Sequence, residues 1–300
     1  FGSRLWQGLA SPPAPCAQSA GAMLRAPQLA GTARKLLLRR QIAWTSFQFA
    51  ARPSQRRSVA ASHVDDAERS RLRAEIARSS LSVFVGCITE VHGVDAIVNC
   101  ANEHLVGTQL PYINLDGSGG CIFDCVDKII HNKAGPSLHE ACMAVDVVRE
   151  SEDPRWGGIR CPTGEARITG AFDLPNCSYV VHVVGPPWPD SAEALQDAYR
   201  SCISAAEREC TGAIRSVAVP AISAGIHQWP RDMSWAAAVE VLGGHLLEAE
   251  LQRRAGGAEA GAKPGLDRIV LAAPEEASGA EAVECIHRWV QGTLTEEGLL

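Results

Sequence analysis

The first 64 residues contain no aspartate or glutamate, although nine of the chain's 28 lysines and arginines lie there. The remaining residues carry all 34 acidic side chains against 19 basic ones, a formal charge of −15. This acidic part of the chain repels a nucleic-acid backbone, because nucleic-acid binding requires cationic side chains that neutralise phosphates. A nucleic-acid partner is therefore disfavoured. A compact anionic ligand stays compatible with this charge where main-chain N–H groups hold it.

Long apolar runs are also missing. No stretch approaches the roughly 18 consecutive apolar residues of a membrane-spanning helix, so no membrane partner is expected. Residues 1–63 are rich in arginine and leucine, which is typical of a mitochondrial transit peptide; a plastid one and a disordered basic tail are the alternatives. The chain is thus divided into this segment and one globular domain over residues 64–300. Its eleven cysteines, an odd number set mostly among apolar residues, predict reduced thiols.

From residue 64 onward, apolar runs of strand length alternate with stretches of helical periodicity. Strands are predicted over residues 81–85, 94–98, 164–172, 179–184, 216–219 and 266–271, and helices over 64–79, 125–134, 138–149, 192–210, 235–250 and 280–291. This alternation predicts an α/β fold, a three-layer α/β/α sandwich with a mixed, mostly parallel sheet. Ligands of such sheets bind beyond the carboxyl ends of the strands, here the loops after residues 98, 184 and 219.

The loop after residue 98 carries Asn99 and Asn102. Asparagine amides both donate and accept hydrogen bonds, so a pair of them at a strand end can fix sugar hydroxyls. Ordinary turn formation, in which asparagine is common, is the alternative. His182 lies between apolar residues of a predicted strand and is interpreted as a core residue with satisfied hydrogen bonds.

Two further loops are suited to phosphate. Residues 117–120 are glycine-rich, and residues 220–230 contain the small residues Ser223, Ala224 and Gly225 between a strand and a helix. Main-chain N–H groups of such loops can surround phosphate without a cation. A flexible surface loop and a tight strand-to-helix turn, respectively, are the alternatives.

Taken in order, these segments resemble the macrodomain family. The resemblance covers about residues 81–291 and is carried by Asn99-Cys100-Ala101-Asn102, residues 117–120, Val126-Asp127 through Ile130-His131, Ala134-Gly135-Pro136, Thr163-Gly164-Glu165-Ala166, Val181-His182-Val183-Val184-Gly185-Pro186 and residues 220–230. The Thr-Gly-Glu-Ala strand entry and the aspartate before the helix resemble the MacroD-like subgroup of ADP-ribosyl hydrolases and O-acetyl-ADP-ribose deacetylases.

The resemblance implies a macrodomain over residues 64–300 that binds ADP-ribose. It implies removal of mono-ADP-ribose from acidic protein side chains, deacetylation of O-acetyl-ADP-ribose, and no cofactor. Asn102 and Asp127 are the implied catalytic residues: Asn102 would orient the distal ribose, and Asp127 would help to activate a water or the ribose. The residues implied to contact ADP-ribose are Cys87, Ile88, Asn99, Gly119, Gly120, Ser223, Ala224, Gly225, Ile226 and His227, of which the last five would hold the diphosphate.

Three features depart from the family pattern. The family usually has Gly-Asp-Ile-Thr after its first strand, whereas this chain has Cys87 in place of the aspartate, and a thiol is a poor acceptor for the adenine amino group. His227 replaces the usual aromatic residue of the diphosphate loop. The segment between Asn102 and Asp127 is longer than the family pattern. Because of the longer segment and Cys87, a non-catalytic reader of ADP-ribose is the alternative to the enzyme.

The longer segment also permits a zinc-dependent mechanism. A zinc-dependent subgroup of the family carries cysteine and histidine ligands in this loop, and the corresponding ligands here would be His104, Cys121 and Cys125. Zinc with an open coordination position would activate water. Two structural thiols are the alternative interpretation.

Overall fold

The computed structural model describes residues 65–108, 112–113, 120–121, 125–152, 157–209, 212–256 and 265–294. The predicted targeting segment over residues 1–63 lies outside the described residues. None of the described helices has the length and apolarity that a membrane crossing requires. The eight cysteines whose side chains are described are all free thiols.

The described residues form one six-stranded sheet and a separate two-stranded hairpin. The strands are β1 (Leu81–Val85), β2 (Ala96–Cys100), β3 (Tyr112–Ile113), β4 (Gly120–Cys121), β5 (Ala166–Gly170), β6 (Tyr179–Val183), β7 (Ser216–Val219) and β8 (Arg268–Ala273). The sheet order is β1-β8-β7-β2-β6-β5, and β3 pairs with β4. Every neighbouring pair in the sheet is parallel except β5 and β6, so the predicted mixed, mostly parallel sheet is confirmed.

Helices cover both faces of this sheet. They are α1 (Asp66–Ser79), α2 (Val126–Ala134), α3 (Pro136–Ala144), α4 (Ala192–Glu209), α5 (Arg231–Ala238), α6 (Gly244–Arg254) and α7 (Glu276–Gln291), with a π-helical segment, Val239–Gly243, between α5 and α6. One hydrophobic core contains residues of α1 and α4 to α7, and a second, with fewer buried residues, contains residues of α2 and α3. The α/β/α sandwich is therefore confirmed.

The sheet separates the two cores because successive side chains of a strand point to opposite faces. In β2, Ala96 and Val98 belong to the larger core and Ile97 to the smaller one. In β6, Val181 belongs to the larger core and Val180 to the smaller one. Burial on both faces explains why these strands are continuous apolar runs in the sequence.

Three predicted helices differ from the structure by more than two residues at an end, and the one predicted over 280–291 begins at Glu276. The helix predicted over 138–149 ends at Ala144, since Val145 is extended (φ −65°, ψ 134°) and the N–H of Val148 donates to the carbonyl of Ile159 at 2.8 Å. The helix predicted over 235–250 extends in both directions and contains the π-helical segment. A Cβ on Gly243 would lie 2.9 Å from the ring of Trp289, so this glycine lets α7 pack closely.

The parallel strands bring several loops to one edge of the sheet. Strands β1, β8, β7, β2 and β6 are consecutive in the sheet and parallel, so their carboxyl ends lie at the same edge. The loops after β1, β2, β6 and β7 therefore converge there, as the rule for ligand sites in such sheets predicts.

Candidate functional site

The loop after β7 turns sharply at Ser223, which has a φ of 64°. A left-handed conformation is costly for a residue with a side chain and persists where the surrounding structure holds it, often at ligand sites. The N–H of Trp229 donates to the carbonyl of Ser223 at 3.1 Å, and the N–H of Gln228 donates to that of Gly225 at 2.9 Å. The loop is thus closed on itself by main-chain hydrogen bonds.

Three consecutive main-chain donors of this loop are unpaired. The N–H groups of Gly225, Ile226 and His227 have no acceptor among the described residues, and Gly225 and Ile226 are exposed. The hydroxyl of Ser223 is buried and also has no partner there. A run of such N–H groups can bind an anion without a cationic side chain.

Neighbouring segments hold this loop in place. The carbonyl of His227 accepts from the N–H of Trp188 at 2.8 Å, which ties it to the loop after β6. A Cβ on Gly185 would overlap the hydroxyl of Ser223 and would lie 2.5 Å from Cγ2 of Ile222. The two loops therefore contact each other at a glycine that has no room for a side chain.

A ring of hydrogen bonds fixes the residue before Ser223. The carbonyl of Ile222 accepts from the hydroxyl of Ser234 at 2.7 Å, and the N–H of Ile222 donates to the hydroxyl of Tyr199 at 2.9 Å. The Ser234 proton is already donated, so the Tyr199 hydroxyl donates to Ser234, at 2.7 Å. Burial raises the pKa of Tyr199, which keeps this donor protonated.

The loop after β2 is arranged around Asn102. Its Oδ1 accepts from the N–H of His104 at 3.2 Å and from that of Val106 at 3.4 Å, which is a side-chain-stabilised turn. Its Nδ2 has no acceptor among the described residues, and the side chain is half-buried. The main chain of Ser223 lies beside the sulfur of Cys100, two residues before Asn102, so this loop lies against the loop after β7.

Asp127, at the second position of α2, is only 3% exposed. Its Oδ1 accepts from Nδ2 of Asn99 at 2.7 Å, and its Oδ2 accepts from the hydroxyl of Thr108 at 2.7 Å. Nε2 of His131, one turn later in α2, lies 3.5 Å from Oδ1. A buried carboxylate needs such donors, because burial without them strongly disfavours its charge.

His182 of β6 is paired with Asn99 of β2 in the sheet and is fully buried. Its Nδ1 lies 3.1 Å from Nδ2 of Asn99, and its Nε2 lies 2.9 Å from the hydroxyl of Thr169. Burial, together with the nearby His131, lowers the pKa of His182 to about 3, so the imidazole is neutral. The interpretation of His182 as a satisfied core residue is confirmed.

Three potential metal ligands meet here: donor atoms of His131, Cys142 and His182 lie within 4.8 Å of one another. Burial raises the pKa of the Cys142 thiol to about 12, which opposes formation of the thiolate that zinc requires. The hydroxyl of Thr169 donates to the carbonyl of Gly170 at 3.1 Å and must accept from Nε2 of His182. As arranged, the ring offers no lone pair to an ion, because Nε2 carries a proton and Nδ1 faces the Asn99 amino group.

The predicted adenine-side residues follow β1. The sulfur of Cys87 lies 3.0 Å from the hydroxyl of Thr89, which accepts from Nζ of Lys133 at 2.7 Å. Ile88 is buried in the smaller core, and its carbonyl accepts from Nδ2 of Asn176 at 3.4 Å. Any contact of Ile88 with a ligand is therefore limited to its main chain.

The remaining predicted residues lie partly outside the described part of the chain. Gly119 lies outside the described residues, and Gly120 pairs with Ile113 in the hairpin. Of the three proposed zinc ligands, Nδ1 of His104 lies 2.9 Å from the carbonyl of Gly158, and Cys125 directly precedes α2. Cys121 lies in β4, but its side chain is outside the described part. The zinc site stays a prediction.

Asn99 has a different place from the one expected. It was expected to contact ADP-ribose, but it is fully buried and its amide contacts Asp127 and His182. The contacts of Thr108 and His131 with Asp127 were not predicted from the sequence. A helical spacing of four residues is the signal that connects His131 with Asp127. No local pattern connects Thr108 with Asp127.

Burial of neutral His182 makes stability depend on pH. Its folded pKa, about 3, lies below the unfolded value of about 6.5, so the unfolded state binds the proton between these values. The contribution of neutral His182 to the free energy of unfolding is fully present above pH 6.5. Below that pH it falls by up to about 1.4 kcal/mol per pH unit. The free energy of unfolding is measured in urea between pH 7 and pH 4.5, and its slope against pH should be shallower in His182→Asn than in the wild type by about this amount. His92→Asn, at an exposed position, is the control; equal slopes for the wild type and His182→Asn would contradict the prediction.

Comparison with known proteins agrees with this architecture. The family model of the Macro domain matches residues 98–238. The chain is 42% identical over 154 residues to a Macro domain-containing protein of Xanthomonas axonopodis pv. citri, covering 50% of this chain and 71% of the relative. It is 39% identical over 168 residues to a protein of Salmonella gallinarum named O-acetyl-ADP-ribose deacetylase, covering 55% of this chain and 78% of the relative.

Solved structures give the same result. The macrodomain of Oceanobacillus iheyensis with ADP is 26% identical, with a TM-score of 0.52 and coverage of 72% of this chain and 95% of that one. The Trypanosoma brucei macrodomain in complex with ADP is 28% identical, with a TM-score of 0.50 and coverage of 69% of each chain. Together with the shared sheet and its loops, these similarities show that the chain belongs to the Macro domain family.

Proposed function

We propose that this macrodomain binds ADP-ribose and hydrolyses ester-linked groups at its distal ribose. The observation that carries the proposal is the loop after β7, where the N–H groups of Gly225, Ile226 and His227 have no acceptor among the described residues. These donors suit a diphosphate, which the acidic body of the protein would otherwise repel.

The placement of the other loops supports a nucleotide of this shape. The loop of Asn102 contacts the diphosphate loop through Cys100 and Ser223, so a ligand held by the latter can extend its distal sugar toward Nδ2 of Asn102. The loop after β1, with Cys87, lies at the same edge of the sheet and is proposed as the adenine side. The proposal is further supported by the relative named O-acetyl-ADP-ribose deacetylase and by the neighbour structures with ADP.

Asp127 is the proposed base. In O-acetyl-ADP-ribose, Asp127 would take a proton from water while the water oxygen bonds to the acetyl carbonyl carbon. The bond between that carbon and the ribose oxygen then breaks, acetic acid leaves, and the ribose oxygen takes the proton from Asp127. In mono-ADP-ribosylated glutamate or aspartate, the water oxygen would bond to C1″ of the ribose as Asp127 takes its proton, and the bond from C1″ to the side chain breaks, so that the side chain leaves as a carboxylate. A correctly positioned base contributes about 10²- to 10⁴-fold to such reactions.

A non-catalytic reader is the second candidate, and one observation favours it. Both carboxylate oxygens of Asp127 accept short hydrogen bonds, from Asn99 and from Thr108. Each oxygen keeps a further lone pair, but the side chain is only 3% exposed, so water reaches it only if neighbouring side chains move. If the bound ligand does not move them, the domain binds ADP-ribose without turnover.

One experiment separates these functions. The full chain is titrated with ADP-ribose in a calorimeter and incubated with glutamate-linked mono-ADP-ribosylated protein and with O-acetyl-ADP-ribose, each with and without a zinc chelator. We expect binding and release of product that the chelator does not change. Binding without product would select the reader, loss of turnover with chelator would select the zinc mechanism, and absence of binding would refute the proposal.

A further inference from the structure

Hydrogen bonds connect Thr169, His182 and Asn99 with Asp127, and the carbonyl of Gly170 determines which atom donates in each of them. The carbonyl of Gly170 can only accept, so the hydroxyl of Thr169, 3.1 Å away, donates to it. The oxygen of Thr169 then accepts from His182, whose Nε2 lies 2.9 Å away. His182 is therefore the tautomer with its proton on Nε2 and a lone pair on Nδ1.

This lone pair determines which way the Asn99 amide faces. Nδ1 of His182 lies 3.1 Å from the Asn99 nitrogen, and Oδ1 of Asp127 lies 2.7 Å from the same nitrogen. The two protons of that amino group are thus directed to two acceptors. If the amide were turned over, its oxygen would face the lone pair of His182 and the carboxylate together. The oxygen of Asn99 is buried with no partner among the described residues, so this orientation is held by the amino group alone.

We propose that His182 is a positioning residue for the hydrolytic reaction: in its Nε2-protonated form it keeps the Asn99 amino group directed at Asp127, and so holds the Oδ1 atom of that carboxylate in place. This inference rests on the proposed function, since it assigns a role for the base of that reaction. Without an acceptor at Nδ1, the amide can turn over and withdraw its donor from Asp127. With the acceptor present, the turned amide places the Asn99 oxygen against a lone pair and is disfavoured.

The other titratable groups near Asp127 do not direct the Asn99 amide. Cys100 of β2 and Cys142 of α3 interact with Asp127 electrostatically, but burial raises the pKa of each thiol to about 12, and both stay neutral. Nε2 of His131 of α2 lies 3.5 Å from the same Oδ1 of Asp127, and burial lowers the pKa of His131.

Two substitutions of His182 distinguish the roles of the two ring nitrogens. The side-chain oxygen of asparagine can occupy the position of Nδ1 and accept from Asn99, so His182→Asn retains the acceptor and loses the donor to Thr169. The amino group of glutamine can occupy the position of Nε2, so His182→Gln retains that donor and loses the acceptor. Both replace a buried ring by a smaller amide and serve as controls for each other's packing defect.

Activity is measured as kcat and KM on O-acetyl-ADP-ribose with the full chain. We expect His182→Gln to lower kcat about tenfold, the scale of one hydrogen bond to a charged group, and to change KM less than about twofold. His182→Asn, which retains the acceptor for Asn99, should keep a kcat several-fold above that of His182→Gln. Equal kcat values for the two variants would overturn the proposal.

A spectroscopic measurement tests the same inference without activity. Nitrogen-15 spectra of the imidazole of His182 should show the proton on Nε2, and the Asn99 amino protons should exchange slowly in the wild type and faster in His182→Gln. Thr169→Val, which removes the acceptor for Nε2–H, should shift part of His182 to the other tautomer and is available if the His182 variants fail to fold. A wild-type ring protonated on Nδ1 would refute the inference. Absence of turnover with the expected spectra would refute the proposed function alone.

Discussion

Asp127→Asn is expected to lower kcat for hydrolysis by at least about 100-fold while the affinity for ADP-ribose changes less than about threefold. The new side chain keeps the shape of the old one. Its oxygen can accept from Asn99 as Oδ1 does, and its amino group can donate to the hydroxyl of Thr108, which reverses that bond. What it loses is the ability to take a proton from water. Activity is measured on O-acetyl-ADP-ribose and on glutamate-linked mono-ADP-ribose, and affinity by calorimetry.

Two further variants serve as controls for that result. Asp127→Ala removes the acceptor of both Asn99 and Thr108, so it should also lower stability, because buried donors without acceptors cost about 1–3 kcal/mol each. Asp146→Asn removes a carboxylate from an exposed position and should leave kcat unchanged. Full activity of Asp127→Asn would remove Asp127 from the mechanism. A loss of affinity as large as the loss of kcat would indicate that Asp127 holds the ribose instead.

Gly185→Ala is expected to weaken ADP-ribose binding by at least about tenfold, the equivalent of about 1.4 kcal/mol. The added methyl group would overlap the hydroxyl of Ser223 and would lie 2.5 Å from Ile222, where the backbone is fixed by Tyr199 and Ser234. The loop after β7 must therefore move, and its three unpaired N–H groups would be displaced from the positions in which they are held. Calorimetry with ADP-ribose measures the effect.

The control for this substitution is Gly244→Ala. Gly244 begins α6, and a Cβ there would meet no atom within 4 Å, so this variant should bind like the wild type. Alanine is favoured over glycine inside a helix by about 1 kcal/mol, so its thermal stability should stay equal or rise. Unchanged affinity of a folded Gly185→Ala would show that the position of Ser223 does not control the diphosphate loop.

The sequence predicted all six strands of the main sheet, because five of them are mostly apolar runs and β5, Ala-Arg-Ile-Thr-Gly, alternates apolar with polar residues. The hairpin of β3 and β4 was not predicted, since strands of two residues have no measurable periodicity. The helix predicted over 138–149 was too long for a related reason. Val147 and Val148 continue an apolar pattern, but the pairing of Val148 with Ile159 depends on a contact that local periodicity does not contain.

The candidate site was predictable where it depends on loops and strand ends. The small residues after β7 and Asn102 after β2 were located from topology alone. The contacts of Asp127 were less accessible, because Asn99 and Thr108 reach it from 28 and 19 residues away in the chain. His182 was correctly predicted to be buried. Its link to Asn99 depends on the register of β2 and β6, in which the two residues are paired, and sequence spacing does not give that register.

The unequal size of the two cores has a consequence for how the domain responds to heat. Asp127 belongs to α2, which packs in the smaller core, whereas Ile222 and Trp229 anchor the diphosphate loop in the larger one. Segments with fewer buried contacts open at lower free energy than the whole domain. On warming, amide protons of α2 and α3 should therefore exchange before those of α4 and α7, and turnover should fade at temperatures where the nucleotide still binds.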